Sequence, residues 1–116
     1  MKIENVINIE ENDVTMAGAM GARMRLLISE KDGAENFAMR MFTVAAGGYT
    51  PFHFHNYEHE VFILAGQGVL KGEDQEHPFK SGDVIFVKPN EKHQFVNAGD
   101  APMKFLCLIP SPEKCV

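Results

Sequence analysis

Three of the chain's five histidines fall within seven residues, in Pro51-Phe52-His53-Phe54-His55-Asn56-Tyr57-Glu58-His59-Glu60. A neutral imidazole offers a nitrogen lone pair near pH 7, so the chemistry this spacing suggests is metal coordination. His53 and His55 are two apart. If residues 51–55 are extended, both rings leave the same face of a strand, close enough for one ion to bridge them. The apolar run Val61-Phe62-Ile63-Leu64 follows, with His59 sharing the parity of Val61 and Ile63 and Glu60 that of Phe62 and Leu64. Parity leaves His59 or Glu60 as the third ligand, but not comfortably both. The candidate for a fourth is His93, in Lys88-Pro89-Asn90-Glu91-Lys92-His93-Gln94. His77 lies in the polar turn stretch 73–78 and is expected to be solvated.

The elements that must position these groups read as strands. Short β-type runs separated by turn signals, with no run at helical period, predict an all-β sandwich or barrel. Residues 1–15, with Val6-Ile7-Asn8-Ile9, predict a short edge strand, and 16–21 a loop. Strands are expected at 23–28 and 37–44, with a turn at 29–36 around Lys31-Asp32-Gly33. Beyond the metal strand, 61–65 and 69–72 read as a hairpin joined by Gly66-Gln67-Gly68. Phe79 marks a short strand after the polar turn, Val84-Ile85-Phe86-Val87 a buried strand, and 93–96 and 103–109 the last two.

Residues 37–44 are apolar on both faces apart from Arg40, so that strand is expected to be covered on both sides. The preferred reading of Arg40 lays its stem on apolar surface with its head in water. The sharper reading is a cavity arginine facing an anionic ligand. Phe105, Cys107 and Ile109 share one face of the last strand, which aims Cys107 into the barrel, where it reads as a small apolar filler in preference to a metal ligand.

At 116 residues, 45% of them hydrophobic and 23% charged, the chain has the length and composition of one globular domain. The net charge of −5 comes without a Lys/Arg block, which argues against nucleic acid. No apolar run is long enough for a bilayer, and Met1-Lys2-Ile3-Glu4-Asn5 begins no signal sequence, so a soluble cytoplasmic protein with no membrane partner is expected. Cys107 and Cys115 match no zinc spacing and read as free thiols.

Gly47 followed by His53-x-His55 and an acceptor three or four residues on resembles the first motif of the cupin superfamily. Gly82, Pro89, His93 and Asn97 resemble the second. The usual carboxylate of the first motif would be Glu60, but a histidine stands one residue earlier, as in the four-histidine small cupins. The sequence departs from the pattern at Glu91, where glycine is frequent, and in the spacings from Gly82 to Pro89 and from Glu60 to Gly66. The resemblance implies a double-stranded β-helix (jelly-roll) barrel over residues 23–110 of a single domain 1–116. It also implies the ligand set His53, His55, His59 and His93, and a homodimer in which segment 1–15 is exchanged. Phe62 and Leu64, on the face opposite Val61 and Ile63, need cover that a second copy would supply.

Four neutral imidazoles leave a divalent ion's charge uncompensated, so such a site attracts anions, and an octahedral ion keeps two adjacent positions open. Mn or Fe is expected first, with Ni, Cu, Co or Zn as alternatives; zinc held by four histidines would be a closed, structural site. By resemblance the function is that of a metal-dependent dioxygenase or other oxidoreductase acting on a small anionic or enolisable organic substrate. Phe95, Phe105, Ile109 and methionines would form the apolar pocket, and Glu58, Glu60 and Gln94 would orient imidazole N–H groups. The other class is a non-catalytic, metal-dependent small-molecule binder.

Overall fold

The computed structural model describes residues 1–111; Cys115 lies outside the described residues. Nine strands follow in order: β1 (Asn12–Asp13), β2 (Met20–Ile28), β3 (Phe37–Tyr49), β4 (His59–Ala65), β5 (Gln67–Lys71), β6 (Glu76–Lys80), β7 (Val84–Val87), β8 (Gln94–Asn97) and β9 (Met103–Pro110). The helical pieces among the described residues are two 3-10 turns, Val6–Asn8 and Glu30–Asp32. The all-β expectation therefore holds. No helix among the described residues is long and apolar enough to cross a membrane.

Every ladder is antiparallel, and the strands curl into one half-barrel in the order β6-β5-β8-β3-β9-β4-β7, with β2 also on β3 and β1 on β2. The curl runs through β3. Its first part lies between β2 and β9, from Phe37↔Pro110 to Val44↔Met103, whereas its last residue, Tyr49, pairs with Val96 of β8. Glycine permits the change of partner. Gly47 takes φ +77, and β2 approaches so closely that a Cβ on Gly48 would meet the Met20 carbonyl at 2.5 Å.

Register places the inward side chains in rows across the sheet. Met24, Phe42, Phe105 and Ile63 form one row, and Arg40, Cys107, Val61 and Ile85 form the next. Val44, Ile63, Met103, Phe105 and Cys107 are almost wholly buried. Phe105 stacks on Phe42 at 5.2 Å and on Phe95 at 4.6 Å, tying the two sides of the curl together. Cutting a buried Phe of this kind to Ala costs about 3–5 kcal/mol.

Several local expectations are corrected. Val6-Ile7-Asn8 is a 3-10 turn capped by the Asn5 side chain, and the edge strand is Asn12–Asp13, paired with Met24 and Arg23 of the same chain. Gly66-Gln67-Gly68 is not a hairpin. β4 pairs with β7 and β9 and β5 with β6 and β8, so Gly66 (φ +85) turns a corner between two parts of the curled sheet. β7 is half-buried only: it is an edge strand, with Val84 and Phe86 outward. His77 is exposed as expected, but on β6 and not in a turn.

Candidate metal centre

Residues 51–55 do not form the full strand expected of them. Pro51 has no N–H to give a ladder, and pairing beyond β3 narrows to one bridge, His53↔His93. That bridge is what matters for the site. His53 N–H donates to the His93 carbonyl at 3.2 Å and His93 N–H returns the bond at 3.0 Å, which sets the two residues opposite each other. Thr50 anchors the segment upstream: its N–H donates to the Phe95 carbonyl, and its Oγ1 accepts from Phe95 N–H, both at 2.9 Å. Downstream, Asn90 N–H donates to the His55 carbonyl at 2.6 Å, and Asn90 takes φ +66, the left-handed region that asparagine tolerates.

The parity argument holds within this frame. His53 and His55 turn their rings to the same side, with their Nε2 atoms 3.0 Å apart. Two nitrogens bound at right angles to one ion, each at ordinary metal–nitrogen length, would stand about 3 Å apart. The nitrogens of His53, His55 and His93 converge within 4.8 Å of one another. His59 enters from the first position of β4, beside inward Val61 and Ile63, and is 5% exposed, while Glu60 is outward and exposed. Its ring lies 4.5 Å from His55 and 5.0 Å from His93, but it stands outside the tight group of three.

The hydrogen bonds orient these rings. His93 Nδ1–H donates to the Glu91 carbonyl at 2.8 Å, which leaves Nε2 with the lone pair. Nδ1 of His59 lies 3.0 Å from the Cys107 sulfur, and its Nε2 is buried with no partner. An Nδ1–H···S bond there likewise leaves the Nε2 lone pair unspent. Nδ1 of His53 is also buried and unpaired. Orphaned nitrogens of this kind are costly in a protein interior, and a cation accepting the His59 Nε2 lone pair would offset the cost at that residue. The residues present fit a metal.

Burial is the first cause of depressed basicity at all four histidines. His55 is pushed down to about 4, by burial and then by the charges of His53, His93 and Arg40. His59 is pushed down to about 3, by burial and then by Arg40 and the other histidines. His53 and His93 shift the same way. The rings are thus neutral near pH 7, the state a metal requires. Burial pushes the Cys107 thiol up, against a smaller opposing effect of Arg40.

The histidines line a cavity of about 560 Å³ whose wall includes Phe42, Phe95, Phe105, Tyr57, Met24 and Arg40. That size suits a drug-sized molecule. Phe95, Phe105 and Cys107 line this cavity. Ile109 does not: it stands opposite Ala38, past Cys107 on β9, and packs on the core. The supporting roles expected of Glu58, Glu60 and Gln94 are corrected as well. Glu58 and Glu60 are exposed, and the Gln94 amide donates to the Thr50 carbonyl at 2.9 Å. The Glu91 carbonyl and the Cys107 sulfur meet the imidazoles instead. Arg40 does not send its head to water. Its Nη2 meets the Cys107 sulfur at 3.2 Å, and its guanidinium lies 4.9 Å above the Phe42 ring.

Sequence reasoning missed Tyr57, whose ring packs against His55 at 4.6 Å and His59 at 5.6 Å. Its odd parity with the histidines was the available signal. It also missed residues 12–16, which wall the cavity beside β2 and carry no chemical signature of that role.

Comparison with known proteins agrees with this architecture. The polyketide cyclase RemF from Streptomyces resistomycificus superposes with a TM-score of 0.90 at 33% identity, over 95% of this chain and 79% of that one. An oxalate-binding protein of Thermotoga maritima is 32% identical over 98 residues, 81% of this chain and 80% of that protein. An uncharacterized protein of Methanocaldococcus jannaschii is 34% identical over 70 residues, 60% of this chain; the match spans 56% of that protein's length. The cupin domain profile matches residues 40–109, well over half of the sequence and inclusive of both histidine segments, and the chain belongs to the cupin domain family.

Proposed function

We propose that this protein is a metal-dependent enzyme acting on an enolisable or phenolic small molecule, with His53, His55, His59 and His93 holding Mn or Fe. The observation that carries the reading is the 3.0 Å approach of two Nε2 atoms at the wall of an aromatic cavity. When bound, the ion would supply Lewis-acid polarisation of an enol or carbonyl oxygen and adjacent open positions for substrate and oxygen.

The chain's own residues would do the rest. The Phe42–Phe105 stack offers a flat apolar wall for the body of the substrate, and Val14 and Met16 line the cavity from the N-terminal segment. Among the described residues no lysine lines the cavity, and the one carboxylate there, Asp13, is exposed and 3.4 Å from Arg23. That lining favours chemistry driven by enolate formation over chemistry needing a second side-chain acid or base. Similarity to a polyketide cyclase supports an enolisable substrate. Similarity to an oxalate-binding protein supports the second reading, a binder that holds a small anion without turnover.

The test is to load the protein with Mn or Fe(II) and incubate it with 1,3-diketones and phenols, following oxygen uptake and product mass. Oxygen uptake with a gain of oxygen in the product, lost in His53→Ala, is the expected result. Loss of water without oxygen uptake would move the reaction to cyclisation. Binding with no change of mass in any compound would establish the binder.

A further inference from the structure

We propose that Arg40 is an anion subsite in the cavity wall, and that the ligand carries an aromatic carboxylate or comparably acidic group which rests on this guanidinium while its oxygen functions turn toward the histidines. The inference deepens the small-molecule reading above and rests on it.

Arg40 issues from the inward face of β3, between Leu26 on β2 and Cys107 on β9. A cation placed there needs an acidic partner or water. Neither an Asp nor a Glu lies within ion-pair distance of it among the described residues. Its Nη2 meets the Cys107 sulfur, a weak acceptor, and its Nε is buried and unpaired. An arginine so poorly matched is costly to bury, and its packing over the Phe42 ring offsets only part of the cost.

The charge balance of the cavity points the same way. Its lining includes one carboxylate, Asp13, which is exposed and turned to Arg23. A divalent ion at neutral histidines would add positive charge and no negative charge. The missing negative charge must come with the ligand, and a planar guanidinium held over an aromatic ring suits a carboxylate attached to an aromatic body.

The test uses benzoate and benzamide, which share shape and differ in charge, titrated calorimetrically into metal-loaded and chelator-treated protein. Wild type is expected to bind benzoate about tenfold tighter or more. Arg40→Met should abolish the preference while metal content and benzamide affinity stay unchanged. Arg40→Lys, which keeps the charge and loses the fork, should retain part of it and serves if the methionine variant does not fold. Equal affinity of wild type for the two probes, no binding of benzoate, or an undiminished preference in the folded variants would overturn the proposal. If wild type holds no metal yet shows the Arg40-dependent preference, the metal reading fails and the anion subsite stands.

Discussion

The sulfur of Cys107 lies 3.0 Å from Nδ1 of His59, and the same sulfur lies 3.2 Å from Nη2 of Arg40. Two side-chain nitrogens converge on one buried sulfur, so Cys107 is more than the apolar filler its composition suggests. With Nδ1–H as the donor, this contact fixes the His59 tautomer that leaves the Nε2 lone pair free for a metal. Cys107→Val keeps the volume and removes the acceptor, and should weaken metal binding by about 10–100-fold, the usual effect of losing a ligand's supporting partner. Cys107→Ser should recover most of it. Competition against a chromophoric chelator reads the affinity, and the melting temperature of the metal-free variants separates this from a packing defect. Unchanged affinity in Cys107→Val would remove the positioning role.

The tight group of three and the more distant His59 differ in their expected mutational effects. His53→Ala and His93→Ala each remove a convergent nitrogen while keeping the main-chain bridge that sets the two segments opposite each other. Near-complete loss of bound metal is expected from either, against about one equivalent per chain in wild type. His59→Ala should leave a three-nitrogen site of about 10–100-fold lower affinity. Elemental analysis of protein purified without chelator measures this. Full occupancy and affinity in His59→Ala would reduce the ligand set to three histidines.

Depressed histidine basicity sets a pH dependence whose sign is fixed. The unfolded chain takes up protons near the ordinary imidazole value of about 6.5, whereas folded His55 does so near about 4 and folded His59 near about 3. Below 6.5 the unfolded state holds more protons, so metal-free protein loses stability as pH falls, and the loss from these residues is complete only below their folded values. Melting temperature should be flat between about 7 and 8 and decline from about 6.5 toward 4. His55→Asn/His59→Asn should decline less over that window. A double variant with the wild-type slope would assign the acid sensitivity to other groups.

The sequence carried the histidines' parity, because His53 and His55 are two apart and His59 shares its face with Val61 and Ile63. It could not choose His59 over Glu60, since Phe62 and Leu64 are as apolar as the residues that turned inward; pairing of β4 between β7 and β9 made that choice. Arg40 was legible as an inward residue of its strand, but only the neighbouring Cys107 strand keeps its head inside. Around Gly66 the turn was visible and the partner was not, because glycine marks where a chain bends and not what it joins. At the N-terminus, β-branched Val6 and Ile7 outvoted polar Asn12–Asp13, yet the backbone of β2 was offered to the polar pair.

The outer face of the β4–β7 ladder gives the last prediction. Phe62 stands opposite Val84 and Glu60 opposite Phe86, and Phe62, Leu64, Val84 and Phe86 are 43%, 40%, 76% and 54% exposed. Such a patch beside the end strand β7, whose far edge has no ladder partner among the described residues, is unfavourable in water. A second copy of the chain, presenting the same patch about a two-fold axis, would cover it. Wild type should sediment as a homodimer at micromolar concentration, and Phe86→Glu with Val84→Lys should give a folded monomer, since both side chains already point outward. A wild-type monomer would end the dimer reading. A dimer that survives the double substitution would move the interface off this face.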